Sequence, residues 1–147
     1  MKLSPVEEYG LRCMLQLARH YGEKPVTIRM ISEGEGLSTA YVGKLMFLLQ
    51  KAHLVLATRG VQGGYVLIRK PSELTLEEVF KSLDPMAFDD VCDKFTGVEQ
   101  LCVHASACAI KGVLSGLNEQ MNQYLRKFTL EDLVPQALGA AHVQQHP

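Results

Sequence analysis

Several things are missing from this chain, and each absence removes a class of function. No stretch approaches the ~18 consecutive apolar residues of a membrane-spanning helix, and Met1 to Gly10 lacks the apolar segment of a secretory signal. The expected location is the cytoplasm. Cysteine is scarce, with four among 147 residues, and in a reducing compartment such thiols are free or metal-bound rather than paired in disulfides. There is no C-x-x-C pair, no phosphate-binding glycine loop and no segment that joins a carboxylate to a histidine, so nothing points to an enzyme. Acidic side chains are absent from Gly36 to Ser72. A generic solvated surface mixes both signs, and a segment without acid favours a nucleic-acid partner over a bland domain or a protein-binding one.

What is present gives that segment a shape. Thr27 is placed to cap a short helix bearing Ile28, Met30 and Ile31, Gly36 to stop it in the left-handed conformation, and Ser38 to cap a second helix. On the second helix Tyr41, Leu45, Leu48, Leu49 and Ala52 recur at helical spacing, which predicts a buried stripe with Thr39, Ala40, Val42, Gly43, Lys44, Phe47 and Lys51 off it. Leu54 to Thr58 and Tyr65 to Ile68 are β-prone runs separated by a loop with three glycines in six residues, Arg59 to Gly64. Those glycines let a backbone approach a phosphate, and Arg59 supplies the charge. The reading is a winged helix-turn-helix.

The flanks complete the fold class, which is mainly α with a small β-hairpin. Ser4, Pro5 and Glu7 form a helix start, and the helix is expected to reach Tyr21 with Val6, Gly10, Cys13, Met14, Leu17 and Tyr21 inward. Cys13 then reads as a small buried hydrophobe. Glu8, Leu11 and Leu15 lie on the other side, towards something beyond this domain. Pro71 ends the second strand, and Thr75-x-x-Glu78 opens a helix with Leu76, Val79, Phe80 and Leu83 inward, closed by Asp84-Pro85. A long helix follows over about 106–127, where Ile110, Val113, Leu114, Leu117, Met121, Tyr124, Leu125 and Phe128 form a seam like that of a coiled coil. A two-fold partner is the expected cover and packing within the same chain the alternative, so this is taken as a dimerisation helix. Thr129 caps a last turn to Leu133, and His142 and His146 sit in a frayed tail. The expected units are a DNA-binding domain over 1–83 with its wing at about 54–68, a cysteine-bearing loop over 84–105, the long and final helices over 106–134, and the tail over 135–147.

Charge follows the same division. The net charge is −1, but residues 1 to 70 carry ten Lys or Arg against five Asp or Glu, and residues 71 to 147 carry five against eleven. The basic half can meet phosphates while the acidic half points away. In the acidic half Cys92, Cys102 and Cys108 stand at C-x9-C-x5-C. Three soft ligands in an irregular segment can wrap a metal centre, zinc with His104 as fourth ligand is a chemical rival, and three unrelated buried thiols is the plain alternative.

Leu37-Ser38-x-x-Tyr41, Leu54-Val55 and Arg59-Gly60-x-x-Gly63-Gly64-Tyr65 together resemble the IscR, NsrR and RirA group of bacterial winged-helix regulators, from Met1 to about Val134. The resemblance implies a homodimeric transcription factor on a palindromic double-stranded DNA operator. It assigns Ser38, Thr39, Ala40, Tyr41 and Lys44 to the major groove and Arg59, Gly60, Gln62 and Gly63 to the backbone or minor groove beside it. It also implies an iron-sulfur cluster, 2Fe-2S or 4Fe-4S, on Cys92, Cys102 and Cys108, with Glu8 of the partner subunit as fourth ligand and oxygen, nitric oxide or iron scarcity as trigger. Three features depart from the group: His53 stands where Gly or Asn is usual, the gap before Cys102 is longer, and Lys111 or its neighbours replace the His found shortly after the last cysteine in IscR. A cluster-free thiol switch or zinc-stabilised regulator is the alternative that keeps the DNA-binding reading.

Overall fold

Ser4 starts helix α1 (Pro5–Arg19) by the reciprocal pairing that its sequence announces, its Oγ accepting from the Glu7 amide at 3.2 Å while Glu7 accepts from the Ser4 amide at 2.7 Å. The computed structural model describes residues 3–83, 102, 104 and 107–135. Gly10, Cys13, Met14, Leu17 and Ala18 bury one face of α1, and Leu11 and Leu15 pack partly against the same core. The helix stops at Arg19 because the chain turns through His20 to Gly22, whose φ is +82°. Tyr21 therefore lies beyond the helix and is exposed, contrary to its expected place in the core.

Helix α2 (Ile28–Glu35) begins with Thr27 accepting from the Met30 amide and ends at Gly36, with φ 66° and ψ 32°. Helix α3 (Thr39–Lys51) follows, with Ser38 accepting from the Tyr41 amide at 3.2 Å. Its buried stripe is Val42, Leu45, Met46 and Leu49, with Tyr41 and Leu48 on the shoulders and Ala52 exposed past the helix end. This corrects the phase read from the sequence. The helix is apolar on most sides, so periodicity alone leaves its rotation open, and contacts with α1, α2 and α4 decide it.

His53 takes the left-handed conformation, φ 58°, and turns the chain into strand β1 (Val55–Thr58). β1 pairs antiparallel with β2 (Gly64–Leu67), Val55 opposite Leu67 and Thr58 opposite Gly64. Tyr65 exchanges two backbone hydrogen bonds with Val26, at 2.8 and 3.0 Å, which ties the hairpin to the segment before α2. A Cβ on Gly64 would stand 2.7 Å from the Val26 carbonyl oxygen, so this crossing requires glycine.

After a single 3-10 turn at Pro71–Glu73, helix α4 (Leu76–Leu83) opens as its sequence foretells, Glu78 accepting from the amide and hydroxyl of Thr75, both at 3.1 Å. Leu76, Val79 and Leu83 are buried and Phe80 half-buried. Helix α5 (Ala109–Leu125) is shorter than expected, beginning after Cys108, whose sulfur accepts from the Lys111 amide at 3.3 Å. No residue of α5 is buried, and Ile110, Val113, Leu117 and Tyr124 are 49–73% exposed. The chain then returns to the core: Thr75 and Thr129 bridge antiparallel, the Leu130 amide donates to the Leu74 carbonyl at 3.0 Å, and Leu130 on helix α6 (Leu130–Leu133) is fully buried there. Among the described residues no helix is long and apolar enough to cross a membrane.

Candidate nucleic-acid interface

The outer side of α3 is made by what its core stripe leaves out. Thr39, Ala40, Lys44, Phe47 and Lys51 are exposed along it. Ser38 is exposed too, with its hydroxyl already used as the cap. Tyr41 is different, being half-buried with its ring edge-on to Tyr9 at 6.1 Å and 81°, so its body braces α3 on α1 and only its rim is left for a ligand.

The wing is held by backbone chemistry. The Gly63 amide donates to the Gly60 carbonyl at 3.0 Å, and the Thr58 hydroxyl donates to the Gly64 carbonyl at 3.2 Å. Gly60 has φ +110°, and a Cβ on Gly63 would lie 2.6 Å from the Thr58 carbonyl oxygen, so both glycines are required by the loop itself. This tight loop carries Arg59, Val61 and Gln62 outward into solvent.

Electrostatics sharpen the surface. Arg69 is held by Glu78 at 2.6 Å, whereas Lys44, Lys51 and Arg59 have no carboxylate partner among the described residues. The two acidic groups just before this segment are occupied elsewhere, Glu33 by Arg29 at 2.8 Å and Glu35 by Gln16 at 2.5 Å. Cations without internal partners on a helix face and an adjoining loop can engage phosphates at no cost in broken ion pairs.

The cysteines separate by environment. Cys13 is fully buried, and burial, helped by the negative charge of Glu35, pushes its thiol up to about 12, where it is inert. Cys102 and Cys108 are half-buried, and Cys108 is the N-cap of α5. Cys92 lies outside the described residues. His104 is exposed, and among the described residues no group of three or more His, Cys, Asp or Glu is gathered in a metal-binding arrangement. Glu8 is exposed on α1 and hydrogen-bonded to Arg12 at 3.1 Å.

One contact was not legible in the sequence at all. Glu77, 7% exposed, takes a forked pair of hydrogen bonds from Arg126 at 2.5 and 2.9 Å and one from Lys81 at 2.6 Å. It locks the end of α5 onto α4, and its carboxyl is held below the usual range, first by the Arg126 hydrogen bond. Periodicity marks Glu77 only as a charged residue in a first helical turn.

Comparison with known proteins gives a consistent picture. The family described as Rrf2, iron-dependent transcriptional regulator, matches residues 3–136. Protein rrf2 of Nitratidesulfovibrio vulgaris Hildenborough is 32% identical over 137 residues, spanning 93% of this chain and 89% of that protein. The HTH-type transcriptional regulator IscR of Photorhabdus laumondii is 31% identical over 134 residues, 91% of this chain and 79% of its own length. Among solved structures, T. potens IscR superposes with a TM-score of 0.72 at 30% identity, covering 95% of this chain and 94% of that one. CymR (YrzC), the global cysteine regulator of B. subtilis, superposes with a TM-score of 0.70 at 29% identity, covering 90% and 95%.

Proposed function

The chain belongs to the Rrf2 family of transcriptional regulators, and from that premise we propose that it is a cytoplasmic homodimer that binds a palindromic DNA operator and senses redox, nitric oxide or iron status through an iron-sulfur cluster. The observation that carries the DNA-binding part is the outward surface of α3 and the wing, acid-free in sequence and bearing Lys44, Lys51 and Arg59 without carboxylate partners among the described residues. In this reading Ser38, Thr39, Ala40, Tyr41 and Lys44 meet the major groove. Arg59, Gly60, Gln62 and Gly63 follow the neighbouring phosphates or the minor groove, the glycines because a side chain there would hold the backbone away. A two-fold protein fits half-sites about one helical turn apart, ~34 Å.

The second copy covers the apolar side of α5. Ile110, Val113, Leu117 and Tyr124 stand in solvent in the single chain, a run of large side chains that soluble monomers seldom leave bare. The chain then divides as its sequence suggests: a reading head over 1–83, a sensor loop over 84–105, a dimerisation arm over 106–134 and a tail.

The donor set fits a cluster. Cys102 and Cys108 are half-buried thiols, one of them at a helix N-terminus, which sets them apart from the sealed Cys13. Cys92 supplies the third thiolate, and Glu8, on the exposed side of α1, is the candidate fourth ligand across the dimer once it leaves Arg12. When bound, the cluster supplies a group that oxidants or iron loss can dismantle. Cys108 ties the sensor loop to the start of α5, while the Glu77–Arg126 fork ties the end of α5 to the reading head, so the arm joins both. Selection of binding sites from a random duplex pool, together with the visible spectrum of anaerobically purified protein, tests the proposal. An enriched palindrome and a coloured protein are the expected results, failure to enrich any sequence would overturn the DNA-binding reading, and colourless protein with stoichiometric zinc would overturn the cluster.

A further inference from the structure

Phe47 is the largest exposed apolar group on α3, 64% accessible, on a helix whose other large apolar residues are buried or half-buried. It stands three residues after Lys44 and four before Lys51, on one side of the helix with Ala40 and Gly43. We propose that Phe47 is a specificity residue that reads thymine, its ring packing against a 5-methyl group in the major groove; this rests on the DNA-binding reading above.

Three observations carry the assignment. The first is the company the ring keeps. An apolar protein partner would have to desolvate Lys44 and Lys51 beside the ring, and neither has a carboxylate within the described residues to compensate. Duplex DNA offers the matching pair of features, phosphates for the lysines and an apolar group at a fixed depth between them.

The second is Gly43. Glycine in the middle of a helix weakens it relative to alanine, and here packing does not ask for it, since an added Cβ would find only Ile28 Cδ1, at an ordinary 3.8 Å. Glycine one turn before Phe47 adds no side chain to the helix there, and no atom of the ring lies within 4 Å of where its Cβ would be, so the ring does not rest on it. A helix kept thin in this way suits insertion into a groove. Ala40, exposed one turn nearer the N-terminus, keeps the same side thin.

The third is chemical. A phenyl ring has no donor or acceptor with which to read the polar edge of a base. Of the groups that base pairs present in the major groove, the thymine methyl is the apolar one, and cytosine carries only hydrogen at that carbon. The ring therefore distinguishes T·A from C·G by contact area.

The test begins with the sequence that wild type enriches from a random 30-base-pair pool. Each thymine is then replaced singly by deoxyuridine, which keeps every hydrogen-bonding group and removes only the methyl, and affinity is read by fluorescence anisotropy. At one position in each half-site the replacement should weaken wild type roughly fourfold, the value of one buried methyl. Phe47→Ala should bind the thymine operator at least that much more weakly and lose the distinction between thymine and deoxyuridine at that position alone, while Phe47→Leu keeps part of it. Methyl dependence at no position, or the same thymine-to-deoxyuridine ratio in Phe47→Ala as in wild type, would overturn the inference and leave the DNA-binding reading standing. A wild-type protein that enriches no sequence overturns both.

Discussion

At the scale of single residues, function here depends on which side chains the fold leaves without an internal task. Arg59 is exposed on a loop held by the Thr58 hydroxyl and by the backbone bond between Gly63 and Gly60, so its side chain is not needed to form the wing. Arg59→Ala is expected to weaken operator binding by about 1–2 kcal/mol, that of a charge-assisted phosphate contact, and to change thermal stability by less than about 0.5 kcal/mol. A gel-shift midpoint equal to that of wild type would remove the wing from the interface. The cysteines make a second residue-scale prediction. Cys108→Ala should bleach the visible absorption of anaerobic protein, whereas Cys13→Ala, a change inside the core, should keep the colour and cost about 1–2 kcal/mol of stability as a small cavity. Equal loss of colour in both variants would mean that the absorption follows folding rather than ligation. Residues of this kind were legible in the sequence wherever the chemistry is local: Ser4, Thr27, Ser38, Thr75 and Gly36 cap or stop helices where their types and spacing say they should. Val42 is buried although the sequence pattern puts it off the stripe, because α3 has apolar residues nearly all round and only its neighbours fix which side turns inward.

Elements bring in contacts that no local pattern announces. The return of Leu130 to the core, and the bridge between Thr75 and Thr129, join segments more than fifty residues apart, and nothing in either segment names the other. Glu77 and Arg126, 49 residues apart, are likewise unannounced, and their fork ties the end of α5 to α4. Because Arg126 holds the Glu77 carboxyl below its ordinary value of 4.5, the fork adds stability above that value and loses it as pH falls through the depressed one. Glu77→Gln should therefore cost about 1 kcal/mol near neutrality, an amount discounted because the Arg126 side chain is 52% exposed. The gap from wild type should narrow steadily on acidification below about pH 4.5. Chemical denaturation across that range measures it, and a gap that stayed constant or widened in acid would show that Glu77 acts through packing instead of charge.

At the scale of the whole molecule, α5 is the helix with no buried residue. Among the described residues, a winged core carries a helix of 17 residues without one buried side chain, held near its end by Leu125, Arg126, Phe128 and Leu130. Ile110, Val113, Leu117 and Tyr124 follow one another at spacings of three, four and seven, so their exposed surface forms a continuous seam rather than scattered contacts. Alone, that seam leaves unrealised the roughly 1.5–3 kcal/mol that full burial of each large apolar side chain can contribute. A two-fold axis beside α5 would bury the same seam from both sides and set the distance between two reading heads, which a palindrome with half-sites ~34 Å apart requires. Leu117 lies near the middle of the helix and is already 49% exposed in one chain, so Leu117→Glu should leave the protomer folded while putting an unpaired carboxylate into the seam of the dimer. The expected loss of association is several kcal/mol, enough to turn a micromolar solution largely monomeric and to weaken binding to a full palindrome far more than to a half-site. Sedimentation velocity measures the first and paired anisotropy titrations the second. A Leu117→Glu protein that sediments as a dimer at micromolar concentration, with unchanged preference for the palindrome, would place the two-fold contact elsewhere on the chain.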